Sequence, residues 1–416
     1  MHRRSFLKAL ASTAVLAAGT GLHAPTGWFR PAHAAGGKTL LVIFQRGGCD
    51  GLNACVPYGD PDYYRLRPTI AIAAPNAGNP QAALPVDGYF GLHPALAGLA
   101  DIHARGDLAI LPTVQYAGNT RSHFDAQAFI ESGAESRLPD GWLNRYLSAA
   151  PRPGQLRAVA MASRMPQSMR GAEYVPVFRD LEDVALNMEP AEADALLASL
   201  LRAYGLTDDL VSPYASRLSD TGFDMVDKVH FMRSLSPSGY RPSNGAVYPD
   251  TTFGRQLAQV AFLIKAGVGL ETATLDIGGW DTHSNQGGGE ATGRQYQAFS
   301  NLGEGIGAFY RDLGAVMGDV MVVTCTEFGR TAAENASKGT DHGSAGTWFV
   351  VGKNVRGGVH GDWPGLAPGQ LDNNRQLRFT VDFRDVLAEI LSVHLGGGSL
   401  PGVFPAHSYK PVGFLA

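Results

Sequence analysis

Two continuous apolar runs, Val320–Cys325 and Trp348–Val351, enclose a polar, glycine-rich stretch that holds Glu327, Arg330, Asp341 and His342. Apolar runs of this length without alternation belong to strands covered on both faces, the usual state of a parallel strand in an α/β protein. The unit recurs along the chain. Thr39–Phe44 empties into Arg46–Asn53, Leu108–Leu111 leads to Gly118–Asp125, Leu156–Ala162 reads as a further strand, and Thr272–Ile277 ends in Gly278–His283. Between these runs apolar spacing turns helical, over about 94–105, 254–266, 294–317 and 379–395. The alternation predicts an α/β fold around an open, mostly parallel sheet. Residues 54–90 are rich in Pro and Gly and read as an irregular surface excursion. From about 165 to 250 the alternation stops and helices at 191–204 and 223–235 predict a helical insertion, with no low-complexity linker to mark a separate domain.

The N-terminus predicts export. Arg3-Arg4 precedes an apolar stretch from Ala9 to Leu22, and Ala32-His33-Ala34 has the small-x-small form of a cleavage site. Residues 1–34 therefore read as a twin-arginine signal peptide handed to the twin-arginine translocation machinery, with the mature chain, residues 35–416, periplasmic or secreted. The apolar stretch is short for a membrane span. A net charge of −4 with both signs dispersed gives no nucleic-acid footprint and no polybasic lipid-binding run. Three cysteines are present; Cys49 and Cys55 are close enough to pair in an oxidising compartment, and three separate thiols fit the sequence equally well.

Chemistry in an open α/β sheet gathers where strands end. Asp50 stands at such an end between glycines. Asp281 and His283, two apart, share one face of an extended segment, and carboxylate with imidazole is a donor set for a divalent cation. Glu327, Asp341 and His342 follow the Val320–Cys325 run. Together Asp50, Asp281, His283, Glu327, Asp341 and His342 are the candidate metal ligands. Ser122, with Asp125 three residues on, caps a helix, and the same hydroxyl is a candidate nucleophile with Thr120 as its rival. Arg121 and Arg330 are candidate clamps for an anion. His93 reads as a structural residue near a helix start, and His360, His394 and His407, without carboxylate neighbours in a comparable setting, also read as structural.

Strand-end Asp50, the hydroxyl-bearing helix start, Asp281-Thr-His283, Glu327-Phe-Gly-Arg330 and Gly339-Thr-Asp-His-Gly343 together resemble the exported family filed as domain of unknown function 1501, over nearly the whole mature chain. That family in turn resembles the alkaline phosphatase and sulfatase superfamily. The resemblance implies a three-layer α/β/α sandwich with a metal site at the C-terminal edge of the sheet, where a hydroxyl attacks a phosphate or sulfate ester. It implies Asp50 as a first metal aspartate, Ser122 or Thr120 as nucleophile, Asp281 and His283 as a middle ligand pair and His342 as a late histidine. The chain departs from the superfamily pattern in two places: Asp-x-His replaces Asp-x-x-x-His, and Glu327-Phe328 stands where Asp-His is usual. No Cys-x-Pro-Ser-Arg segment is present, which argues against a formylglycine nucleophile.

The expected function is metal-assisted hydrolysis or transfer at a phosphate ester, with sulfate second, on a small-molecule or envelope substrate. Zinc or manganese suits the mixed carboxylate and imidazole set, and calcium or magnesium would need water ligands. The alternative is a non-catalytic exported protein that keeps the fold with a degenerate metal site and binds an envelope partner.

Overall fold

The computed structural model describes residues 37–416 except 119, 151, 153, 155, 183–188, 206–214, 236 and 398–399. The expected signal peptide and cleavage site lie outside the described residues. Among those described, no helix is long and apolar enough to cross a membrane.

A nine-stranded sheet forms the centre. Its strands are β1 (Thr39–Gln45), β2 (Leu108–Gln115), β3 (Ala158–Met161), β4 (Val177–Phe178), β5 (Thr272–Ile277), β6 (Val320–Cys325), β7 (Gly346–Val351), β8 (Gly358–Val359) and β9 (Val381–Asp382). They lie in the order β8-β2-β7-β6-β1-β5-β3-β4, with β9 also paired to β2. β1 is flanked in parallel by β5, from Leu40 opposite Thr272 to Gln45 opposite Ile277, and by β6, from Thr39 opposite Val320. Among the described strands of this sheet, only β7 runs against the others, antiparallel to β2 and β6. Its N-terminal end therefore meets the C-terminal ends of its neighbours, and the loop from β6 into β7 joins the loops leaving β1, β2 and β5 at one edge.

Period two along each strand divides the core. Leu41, Ile43, Ala273, Leu275 and Val322 face one apolar cluster, while Leu40, Val42, Phe44, Met321 and Val323 face another. The first cluster takes in helices α1 (Ala97–His103), α3 (Thr252–Lys265) and α4 (Arg294–Leu313); the second takes in α2 (Trp142–Ala149) and α5 (Phe383–Glu389). The result is a mixed α/β fold with a mostly parallel central sheet and helices on both faces, as the alternation of runs predicts.

Differences fall at element boundaries and in the irregular segments. The helix expected over 294–317 is α-helical to Leu313 and then tightens into a 3-10 segment at Gly314–Asp319, because Gly314 leaves helical geometry with φ +54°. The helix expected over 379–395 begins only at Phe383, where the Asp382 side chain caps Arg384 N, and ends in a π segment at Ile390–His394. The stretch 54–90 is more ordered than its composition suggests: it holds a helix at Pro61–Leu66, and its short strands Cys55–Val56 and Leu84–Pro85 pair with Gly91–Leu92. Within the expected helical insertion, helices Pro190–Gly205 and Ala215–Leu235 are present, but Val177–Phe178 belongs to the main sheet beside β3. A two-residue strand is too short to leave a period in the sequence. Cys49, Cys55 and Cys325 are three buried free thiols, so the Cys49–Cys55 pairing is not formed.

Candidate metal centre

Three loops deliver side chains to the edge where β7 enters. The β2 loop carries Thr120, Arg121 and Ser122 into a helix, His123–Ser132, whose first orphan N–H groups are met by Ser122: its hydroxyl accepts from Asp125 N at 3.4 Å. The β5 loop carries Asp281 and His283. The β6 loop carries Glu327 and Arg330, and Asp341-His342 lie on the approach to β7. Glycine permits the convergence at two points. Gly48, at φ +67°, lies so close to the Phe328 ring that a Cβ would stand 2.6 Å from it, and a Cβ on Gly339 would stand 2.4 Å from the His283 backbone.

Three imidazoles turn their Nε2 atoms toward Asp281 Oδ1. The separations are 3.0 Å for His283, 3.2 Å for His342 and 3.5 Å for His123. The Nε2 atoms of His283 and His342 lie 3.0 Å apart. Each ring is oriented from behind through Nδ1. His342 meets the Arg121 carbonyl at 2.9 Å, His283 meets Asp341 Oδ1 at 3.3 Å, and His123 meets Glu327 Oε1 at 2.7 Å. A carbonyl or carboxylate only accepts, so in each neutral ring Nδ1 carries the proton and Nε2 presents a lone pair. The buried His123 Nε2 has no hydrogen-bond partner. Phe328, fully buried, packs its ring against His123 and His342 at centroid distances of 4.8 and 4.7 Å.

Three lone pairs facing one carboxylate oxygen repel one another unless a cation or extra protons lie among them. His123, Asp281 and His342 bring ligand atoms within 4.8 Å of one another, a grouping able to hold a metal ion. The 3.0–3.5 Å spacings around Asp281 Oδ1 are close to the ~3.3 Å edge of a tetrahedron whose bonds are ~2.0–2.1 Å long. Imidazoles held through Nδ1 by carboxylate or carbonyl are the common arrangement around bound metals.

Asp281 and Glu327 are both held ionised. Burial pushes the Asp281 carboxyl up, but the hydrogen bond and charge of Arg330, with help from His342 and His283, outweigh it and bring it down to about 2. Glu327, completely buried, is likewise pushed up by burial and held below the usual carboxylate range by hydrogen bonds from His123 and from Gln127 at 2.8 Å. The His123 pKa is raised, chiefly by its hydrogen bond to Glu327, and the His342 pKa is lowered by burial.

Of the six sequence-level ligand candidates, Asp281, His283 and His342 meet around one point. Glu327 and Asp341 stand one step behind, fixing His123 and His283. Asp50 is elsewhere. Its two oxygens accept from Arg67 Nη1 at 2.6 Å and Nη2 at 2.9 Å, Gln286 Nε2 adds a contact at 2.6 Å, and both Asp50 and Arg67 are buried. A guanidinium thus holds the carboxylate that the resemblance assigns to a metal. Arg330 also differs from its expected role as an anion clamp: it is buried and committed to the carbonyls of Gly47, Gly48, Trp280 and Thr340 and to Asp281 Oδ1 at 2.7 Å. Arg121 keeps an exposed side chain while its carbonyl holds His342. Thr120 Oγ1 accepts from Ser122 N at 3.2 Å, so both candidate nucleophiles are anchored as acceptors with their O–H protons left to donate.

His123 belongs to this grouping and is not among the candidates read from the sequence. It stands beside Ser122 in the stretch after β2, and a histidine at a strand end is the same signal that selects His283. The capping pattern of Ser122 and Asp125 accounts for that stretch without it, which hides the imidazole.

The family described as "Protein of unknown function (DUF1501)" matches residues 37–395, and the chain belongs to it. A search of curated proteins found no match.

Proposed function

We propose that His123, Asp281, His283 and His342 bind one divalent cation, zinc or manganese, and that the protein uses it in the periplasm to hydrolyse or transfer a phosphate ester. The observation that carries the reading is the convergence of three imidazole Nε2 atoms on a single Asp281 oxygen, with a buried His123 Nε2 that has no hydrogen-bond partner. Three imidazoles and one carboxylate suit zinc, with manganese next. A divalent ion in such a donor set lowers the pKa of a bound water or hydroxyl and screens charge on the ester oxygens. The chain's own part is preorganisation. Glu327, Asp341 and the Arg121 carbonyl keep the Nδ1 protons in place and the rings turned inward. The exposed Arg121 guanidinium meets an anionic substrate at the rim, and Ser122, anchored through its oxygen, offers the hydroxyl for transfer, with Thr120 behind it. The likeness to the alkaline phosphatase and sulfatase superfamily supports the ester class, and the absence of the sulfatase cysteine segment favours phosphate over sulfate.

The Asp50–Arg67 pair favours one cation over two. It also supports a second reading, a periplasmic binding protein with a reduced metal site. Metal analysis of protein purified without chelator, followed by assay on aryl phosphates, phosphodiesters and aryl sulfates, separates the two. One equivalent of metal with phosphatase or phosphodiesterase activity lost in Asp281→Ala is the expected result. Protein that takes up neither zinc nor manganese at micromolar concentrations, or activity untouched by Asp281→Ala, overturns the proposal.

A further inference from the structure

The two loops that carry most of the cluster are joined below it by a buried amide. Gln286 is fully buried, and its Oε1 accepts from Thr282 Oγ1 at 2.9 Å and from Thr340 Oγ1 at 2.8 Å. Its Nε2 donates to Asp50 Oδ2 at 2.6 Å and to Gln295 Oε1 at 3.0 Å. Thr282 lies between Asp281 and His283, and Thr340 directly precedes Asp341 and His342. The ion-paired Asp50 carboxylate only accepts, so it fixes which end of the amide faces it, and that in turn aims Oε1 at the two threonine hydroxyls. Backbone bonds follow the same seam: Thr340 N donates to Thr282 O at 3.1 Å, and Gln286 N donates to Lys338 O at 2.9 Å.

We infer that Gln286 is a positioning residue for the cation site, aligning the Asp281–His283 loop with the Asp341–His342 loop through Thr282 and Thr340 and anchored by the Asp50–Arg67 ion pair. The inference rests on the cation-binding reading above. It gives Asp50 a part in the centre other than ligation: its carboxylate orients the amide that sets the spacing between ligand loops. A shift of one loop along the other would separate His283 from His342 without disturbing either strand. Residues that orient metal ligands from behind typically change affinity by ~10–100-fold.

The test uses the full chain stripped of metal and titrated with Co²⁺, whose visible absorption reports ligand geometry, with a chelator competition for affinity. Gln286→Leu and Thr340→Val are expected to weaken Co²⁺ binding by ~10–100-fold and to change the absorption bands, while Thr340→Ser, which keeps the hydroxyl, retains the wild-type spectrum and an affinity within a few-fold. Thr340→Val removes one hydroxyl without changing shape and serves if Gln286→Leu fails to fold. Wild-type affinity and bands in both Gln286→Leu and Thr340→Val, or equal losses in Thr340→Val and Thr340→Ser, overturn the positioning role while leaving the cation site standing. Wild-type protein that binds no Co²⁺ overturns both.

Discussion

Asp50→Ala tests the reassignment of Asp50 from metal ligand to ion-pair partner. In the folded chain the Arg67 guanidinium is wholly buried, and its charge is balanced by both Asp50 oxygens, at 2.6 and 2.9 Å. Its remaining donors reach Asn53 Oδ1, Thr331 O and Ala332 O, which accept hydrogen bonds but carry no charge. Removing one member of a buried pair leaves the other charge uncompensated and costs about 3–5 kcal/mol. The substitution also takes the acceptor from Gln286 Nε2. Against a total stability of about 5–15 kcal/mol, that loss is a large fraction. Denaturant unfolding of chelator-treated protein should show it with no metal present. Asp50→Ala with Arg67→Met should recover much of the loss, because removing both charges is close to neutral. The pH dependence has a definite sign. Burial pushes the Asp50 carboxyl up, but the charge and hydrogen bond of Arg67 outweigh it and hold it below its ordinary value. A depressed carboxyl contributes stability that is present above the unfolded value of about 3.9 and is lost as pH falls through the folded one. The gap between wild type and Asp50→Ala should therefore narrow in acid. If metal-free Asp50→Ala unfolds within about 1 kcal/mol of wild type, well short of the cost of a broken buried pair, the ion-pair assignment of Asp50 fails.

The remaining predictions concern the cation and the buried histidines. Elemental analysis of the loaded protein should find one equivalent of divalent metal per chain, because the Arg67 guanidinium already holds both oxygens of Asp50, the carboxylate a second cation would need; two equivalents would contradict this. Glu327→Gln keeps the shape behind His123 but removes the charge, so zinc affinity measured by chelator competition should fall by ~10–100-fold with little change in the far-ultraviolet spectrum. His93 and His394 are held by burial at pKa values of about 4. The unfolded chain binds more protons than the fold between pH 4 and 6.5, so stability is full above 6.5 and drops with acid, by about 2 kcal/mol per histidine between pH 7.5 and 5. Denaturant midpoints across that range should show the slope, and His394→Gln should flatten it.

The apolar runs, the alternation with helical periods and the collection of acids and imidazoles at run ends are legible in the sequence because burial imposes them residue by residue. They determine an α/β fold with a mostly parallel sheet, and they place Asp281, His283 and His342 at strand ends. Which acids ligate and which support is not written there. Asp50 and Asp281 have similar local settings, each a carboxylate a few residues past a buried strand and shortly after a Gly-Gly pair. Arg67 occupies both oxygens of the buried Asp50, whereas Asp281 is half-exposed and one of its oxygens meets Arg330 and three imidazoles together. His123 is likewise indistinguishable from a helix-start residue until Glu327, two hundred positions away, turns its ring. Strand patterning is a short-range property of the chain, whereas the charge balance of a buried group depends on whichever partner the fold brings within a few ångströms; only the tertiary structure supplies that partner.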